Sequence, residues 1–151
     1  QLQCFGEQHE VPTTFGVFSN IICLGKDESY DFTKKLLSEL CVLFKDSKYI
    51  HIGGDEVSHA NYEKCPYCLS KMKSLGMNST KELQSYFSNE MAKFIMDKYG
   101  KKIIMWHDGV NKTIDKRIIM QYWNWQMEED KIDLISEGKE LFSFKEKLKG
   151  L

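Results

Sequence analysis

The sequence has no long apolar run and no excess of charge of either sign. No stretch of about 18 apolar residues occurs, so nothing in it reads as a bilayer span, and the polar start Gln1-Leu2-Gln3 does not read as a signal peptide. Lys and Arg number 21 against 22 Asp and Glu, a formal net charge of -1. That balance offers no electrostatic case for nucleic acid or a membrane surface as partner. Cysteine is sparse. Five residues (Cys4, Cys23, Cys41, Cys65, Cys68) make an odd count without the density of a disulfide scaffold, which leaves the redox compartment and the cellular address open. The pair Cys65-x-x-Cys68 invites zinc or thioredoxin chemistry, but zinc needs four ligands, and no second Cys or His pair stands at ligand spacing. A surface disulfide or plain thiols is the preferred expectation, with no metal and no cofactor. Two sequons, at Asn78 and Asn111, would matter only in a eukaryotic secretory pathway.

What is present describes an ordinary globular domain, 42% apolar and 28% charged. A chain of 151 residues can bury about two thirds of its unfolded surface around one core. Residues 1–28 have scattered glycine and little periodicity, which suits a long loop with one short extended piece near Phe15 to Ile22. From Tyr30 to Phe44, Phe32, Leu36, Leu40 and Leu43, with Leu37 and Phe44 beside them, recur at helical spacing behind the capping candidates Asp27 and Ser29. The segment Lys48-Tyr49-Ile50-His51-Ile52 reads as a short buried strand, stopped by Gly53-Gly54. A polar loop carries Cys65 and Cys68. The box Ser79-x-x-Glu82 then opens a helix with inward residues Leu83, Phe87, Met91 and Phe94, closed by Gly100. Strands follow at Ile103 to Trp106 and at Ile118 to about Trp123. A weaker helix spans Asp130 to Glu137, and Leu141 to Phe144 begins one more strand. The order predicts an α/β fold with parallel strands. The link from Asp108 to Arg117 is too short for a covering helix, so that crossover is degenerate or that pair is antiparallel.

Parallel α/β proteins place their sites at the carboxyl ends of the strands. Here those ends deliver Asp55-Glu56, then Trp106-His107-Asp108, then Tyr122-Trp123-Asn124-Trp125. Carboxylates beside aromatic faces are the chemistry of a sugar site, acids moving protons and rings covering the apolar faces of pyranoses. Adjacent acids have their own logic, because one ionised carboxylate favours a protonated neighbour that can act as general acid. A solvated turn after two glycines is the plainer alternative for the pair taken alone. Tyr122 is expected to pack, since consecutive strand residues face opposite ways.

The segment Tyr49-Ile-His-Ile-Gly-Gly-Asp-Glu-Val57 resembles the signature of glycoside hydrolase family 20, the β-N-acetylhexosaminidases. There the motif closes the fourth strand of a (β/α)8 barrel. Glu10 to Phe18 is similar to the loop after the family's third strand, Lys102 to Asp108 to its fifth strand, and Ile119 to Trp123 to its sixth. The resemblance implies hydrolysis of terminal β-linked N-acetylhexosamine with retention. The substrate's own acetamido oxygen is the nucleophile, Asp55 orients that group, and Glu56 is the general acid and base. It further implies that Trp106 and Trp123 wall the acetamido pocket, that His51 supports the acids, and that Asp108 stands where many members have Glu. His107 replaces an Asp common in bacterial members.

A whole barrel takes about 250 residues. The chain is therefore expected to be part of one catalytic domain, about strands 4 to 6 or 7 with the loop after strand 3. It would be weak or inactive until the rest of the barrel completes it. Two other classes fit fewer residues. Gly-Gly-Asp-Glu also begins the signature of diguanylate cyclases, although Val57 stands where those have Phe and no metal-binding acidic strand lies upstream. A non-catalytic sugar-binding module would keep the aromatic pocket without needing Glu56.

Overall fold

The computed structural model describes residues 2–6, 21–107, 111–122 and 141–143. Of the extended piece expected near Phe15 to Ile22, only Ile21 and Ile22 are described, and Ile22 forms an antiparallel bridge with Gln3. Helix α1 spans Asp27–Leu43, with Asp27 and Glu28 in its first turn, where carboxylates complement the helix dipole. The sequence placed Asp27 and Ser29 outside this helix as caps. They lie inside it, and the N-cap is Lys26, whose side chain makes no capping bond.

The inward face of α1 agrees with expectation only in part, at Leu37 and at Leu40, which packs against the core. Tyr30, Leu37 and Cys41 are buried, whereas Phe32, Leu36 and Leu43 are exposed. Both stripes are apolar at helical spacing, and periodicity alone cannot say which one meets the sheet. Tyr30 decides it by packing edge-on against Phe87, at 4.9 Å between ring centroids, and donating a hydrogen bond to the Leu24 carbonyl.

Strand β1, Tyr49–His51, follows, and then a single 3-10 turn at His59–Asn61. Helix α2, Pro66–Ser74, occupies the stretch expected to be a polar loop. Proline at the first helical position accounts for this start, since its missing N–H would be unpaired there in any case. Cys65 and Cys68 are fully buried rather than on the surface, because α2 turns them toward the interior.

Helix α3, Thr80–Tyr99, begins as its sequence predicts. The Ser79 hydroxyl accepts the Glu82 N–H at 3.2 Å, and the Glu82 carboxylate accepts the Asn78 N–H at 2.9 Å. Gly100 closes it in the left-handed region at φ 63°. Strands β2 (Lys102–Trp106), β3 (Ile119–Tyr122) and β4 (Leu141–Ser143) complete a sheet in the order β1-β2-β3-β4. All three pairings are parallel.

The short link before β3 is thus a degenerate crossover and not a sign of antiparallel pairing. Asn89 of α3 pins it, donating to the Thr113 carbonyl at 2.8 Å and accepting the Asp115 N–H at 2.7 Å. Buried Ile114 and Ile118 anchor it from below.

One face of the sheet is covered by α1 and α3. Ile50, Ile103, Met105 and Met120 meet Leu37, Cys41, Met91 and Ile95 in one core. A second core joins Cys4, Cys23, Leu24, Tyr62, Cys65, Cys68 and Leu83, with Val57 packed against it. Lys101 is nearly buried, yet its ammonium donates to the carbonyls of Phe44, Lys45 and Ser47, so the charge is satisfied while α1 is tied to the start of β2. No helix among the described residues is long and apolar enough to cross a membrane.

β1 was expected to be buried. Only Ile50 is; Tyr49 and His51 are exposed, because β1 is the edge of the described sheet and only one of its faces is covered by helices.

Candidate active site

The parallel strands leave one sheet face open, and the carboxyl ends of β1 and β2 bring His51 and Trp106 together on it. The ladder runs past β1: the Ile52 N–H reaches the Ile104 carbonyl at 2.9 Å, and the Trp106 N–H reaches the Gly53 carbonyl at 3.0 Å. Beyond that point the chain must turn away sharply. Gly53 and Gly54 both take positive φ, 72° and 97°. A Cβ on Gly54 would stand 3.0 Å from the Met105 methyl, so glycine also permits the close approach of turn and strand.

Glu56 has φ 47°, the left-handed region, alone in this among the described non-glycine residues. Such a conformation costs about 1 to 3 kcal/mol and persists only where its surroundings enforce it. Asp55 and Glu56 are both exposed.

His51 and Trp106 share this face, their rings 4.9 Å apart. The imidazole Nδ1 accepts the Gly53 N–H at 3.0 Å, so the histidine holds the first residue of the turn directly. Burial of the imidazole lowers its pKa below the usual value, against opposing contributions from Asp55 and from a hydrogen bond with Gln121. The neutral ring this favours is the form in which Nδ1 can accept. His51 thus holds the turn at Gly53. Tyr122 packs as its alternation predicts: it is buried, with its ring 4.4 Å from that of His107. Asp108 and Trp123 lie outside the described residues, as do Glu10 to Phe18, Asn124, Trp125, the helix expected at Asp130 to Glu137, and Phe144.

Two residues carry weight that sequence reasoning did not give them. Gln84, on the buried side of α3, donates its amide to the Gly54 carbonyl at 3.0 Å and clamps the turn from behind. Its signal was a polar residue directly after inward-facing Leu83. Gln121, paired in register with Trp106, reaches His51 across the open face. Replacing Gln84 with Met keeps the volume and removes the donor. The expected result is a loss of about 1 kcal/mol in stability and a fall in kcat larger than any rise in KM, measured by steady-state kinetics on the intact protein.

A parallel sheet backed by helices, with acids, a histidine and a tryptophan toward the carboxyl ends of its strands, has the arrangement of a portion of an α/β barrel. The model of glycosyl hydrolase family 20, catalytic domain, matches residues 2–147. The chain belongs to that family.

A protein of Porphyromonas gingivalis described as a beta-hexosaminidase is 34% identical over 123 residues, 82% of this chain and 16% of that protein. The mouse beta-hexosaminidase subunit alpha is 28% identical over 126 residues, 82% of this chain and 22% of the relative. The crystal structure of a beta-N-acetylhexosaminidase from Bacteroides fragilis superposes with a TM-score of 0.80 at 31% identity, over 94% of this chain and 28% of that one. An exo beta-N-acetylglucosaminidase from Vibrio harveyi, solved with N-acetylglucosamine, gives 0.71 at 30% identity, over 82% of this chain and 19% of that one. The chain therefore spans roughly a fifth of the length of these curated relatives and forms a section of the (β/α)8 barrel. Family membership leaves the diguanylate cyclase alternative without support.

Proposed function

We propose that the protein carrying this chain hydrolyses terminal β-linked N-acetylhexosamine with retention of configuration, through the substrate's own acetamido group. The observation that carries this reading is the strained acidic turn at the carboxyl end of β1, held by His51 and Gln84, with the His51 ring in turn against Trp106. The left-handed backbone at Glu56 breaks the alternation of an extended chain, which lets two consecutive carboxyl groups serve one site.

In the first step protonated Glu56 gives its proton to the glycosidic oxygen as the C1–O bond breaks. The acetamido oxygen bonds to C1, and Asp55 accepts a hydrogen bond from the acetamido N–H as positive charge develops there. In the second step the Glu56 carboxylate takes a proton from water while that water attacks C1 and reopens the oxazolinium ring. Two inversions at C1 give net retention. No metal or cofactor enters the scheme.

Trp106 walls the acetamido pocket, with Trp123 beside it and Asp108 as a further polar contact. His51 acts as a positioning residue through Gly53. The substrate partner is a glycan or oligosaccharide ending in N-acetylhexosamine. The remaining strands of the barrel complete the site, so the 151-residue section by itself is expected to show weak or no turnover.

The test compares a chromogenic β-N-acetylglucosaminide with the matching β-glucoside, which carries hydroxyl in place of acetamido, on the intact protein. The acetamido sugar should be hydrolysed and the glucoside should stay at background. Comparable rates on both would show that an enzyme group, not the substrate, attacks C1, and would end this reading.

A further inference from the structure

We infer that Cys4, Cys23, Cys65 and Cys68 form a structural site for a single zinc ion. Sequence spacing spoke against this, because Cys65-x-x-Cys68 had no second pair. The fold supplies the missing ligands singly, from two segments remote in the chain. Ligand atoms of all four lie within 4.8 Å of one another. Three of the sulfur–sulfur separations are 3.6 Å (Cys23 to Cys68), 3.7 Å (Cys23 to Cys65) and 3.9 Å (Cys4 to Cys68). Four thiolates placed tetrahedrally about zinc at roughly 2.3 Å stand about 3.8 Å apart, the spacing these distances bracket.

Disulfide pairing would divide the four into two short contacts of about 2.05 Å. Here Cys23 is nearly equidistant from Cys65 and Cys68. A tetrathiolate set suits zinc or iron–sulfur chemistry, and sulfurs this close enclose one ion and leave no room for a cluster.

Burial and backbone agree with that assignment. Cys23, Cys65 and Cys68 are 0% exposed and Cys4 is 3% exposed. A buried cysteine is ordinarily a small apolar filler, and Cys41 is one, set in the other core among Leu37, Ile50 and Ile95. The convergence of the remaining four is what filler does not explain. The Phe5 N–H points at the Cys65 sulfur at 3.5 Å, a donor suited to a thiolate. Cys65 is also the N-cap of α2, where amide dipoles favour negative charge.

Gly25 shows how tightly the two halves close. A Cβ there would lie 2.2 Å from the Tyr67 carbonyl carbon and 2.3 Å from the Cys68 nitrogen, backbone against backbone. With four protein ligands the coordination is complete, which makes the role structural. On binding, the four thiols release their protons to solvent and no redox change occurs.

The site would join residues 2–6, the stretch leading into α1, and the start of α2. Val57, next to Glu56, packs on the same core. The ion therefore braces the back of the acidic turn without touching substrate.

The test uses the intact protein, expressed with zinc and purified without chelators. Elemental analysis should find about one zinc per chain. Cobalt exchanged into the site should give thiolate-to-metal charge transfer in the near ultraviolet and tetrahedral d–d bands in the red. The double variant Cys65→Ser, Cys68→Ser should lose the metal, and Cys41→Ser should retain it. If the double variant fails to fold, metal content and the cobalt spectrum of the unmodified protein still decide. Folded, metal-free protein whose four cysteines map as disulfides, or titrate as free thiols, would overturn the site. Iron in place of zinc would overturn the choice of ion. None of these readouts depends on glycosidase activity, so the metal site and the proposed function fail or stand separately.

Discussion

Glu56→Gln is expected to lower kcat/KM of the intact protein about a thousandfold on a substrate with a poor leaving group, within the range for loss of a general acid and base. The amide is nearly isosteric and keeps the side chain's polarity, so the turn between Gly53 and Val57 should keep its shape. What disappears is the proton. An activated aryl leaving group needs little protonation, so the first step should then be much less impaired. The second step still lacks its base, and the oxazoline intermediate or a burst of aglycone should become detectable. Added azide, a nucleophile that needs no deprotonation, should restore turnover and yield the β-azide. Unchanged turnover in this variant would remove Glu56 from the chemistry, whereas sugar binding without turnover in either form would favour a sugar-binding module.

Leu83→Ala is expected to destabilise the protein by about 3 kcal/mol, read as a lower denaturation midpoint at unchanged slope. Leu83 is 0% exposed and sits in the core formed by Cys65, Cys68, Tyr62 and Leu24, against which Val57 also packs. Truncation leaves a cavity between the cysteine cluster and the acidic turn. Tight packing by backbone, as at Gly25, limits how far the neighbours can collapse into it. A loss below about 1 kcal/mol, the size of an exposed change, would mean that this core relaxes freely and does not brace the turn.

How much could be foreseen varied with the range of the interactions involved. The start of α3 was legible because Ser79, Glu82 and Asn78 lie within one turn and satisfy one another locally. The acidic turn was legible for the same reason: Gly53 and Gly54 supply the positive φ that ends a strand abruptly. α2 was read as loop because nine residues behind a proline carry little periodicity. On α1, the expected apolar set did not include Tyr30 or Cys41, which the structure buries together with Leu37.

His51 shows the boundary within one residue. Its place in the motif suggested support for the acids, but not that its Nδ1 would hold Gly53 or that Gln121 would hold the ring. Gln84, and the joining of Cys4 and Cys23 to the pair Cys65 and Cys68, lay beyond sequence logic, because the partners are 30 to 64 positions away.

By itself the sequence determined the α/β class, the strand that ends in Asp55-Glu56, and the family, since each rests on residues near one another in the chain. Tertiary structure alone decided which face of α1 is inward, that β2 and β3 run parallel across a link without a helix, and that Gln84 clamps the turn. It also gathered Cys4 and Cys23 against Cys65 and Cys68. The physical reason is the same in each case: hydrogen bonds and turns within a few residues are written in local chemistry, whereas contacts between distant segments exist only once packing has chosen which surfaces meet.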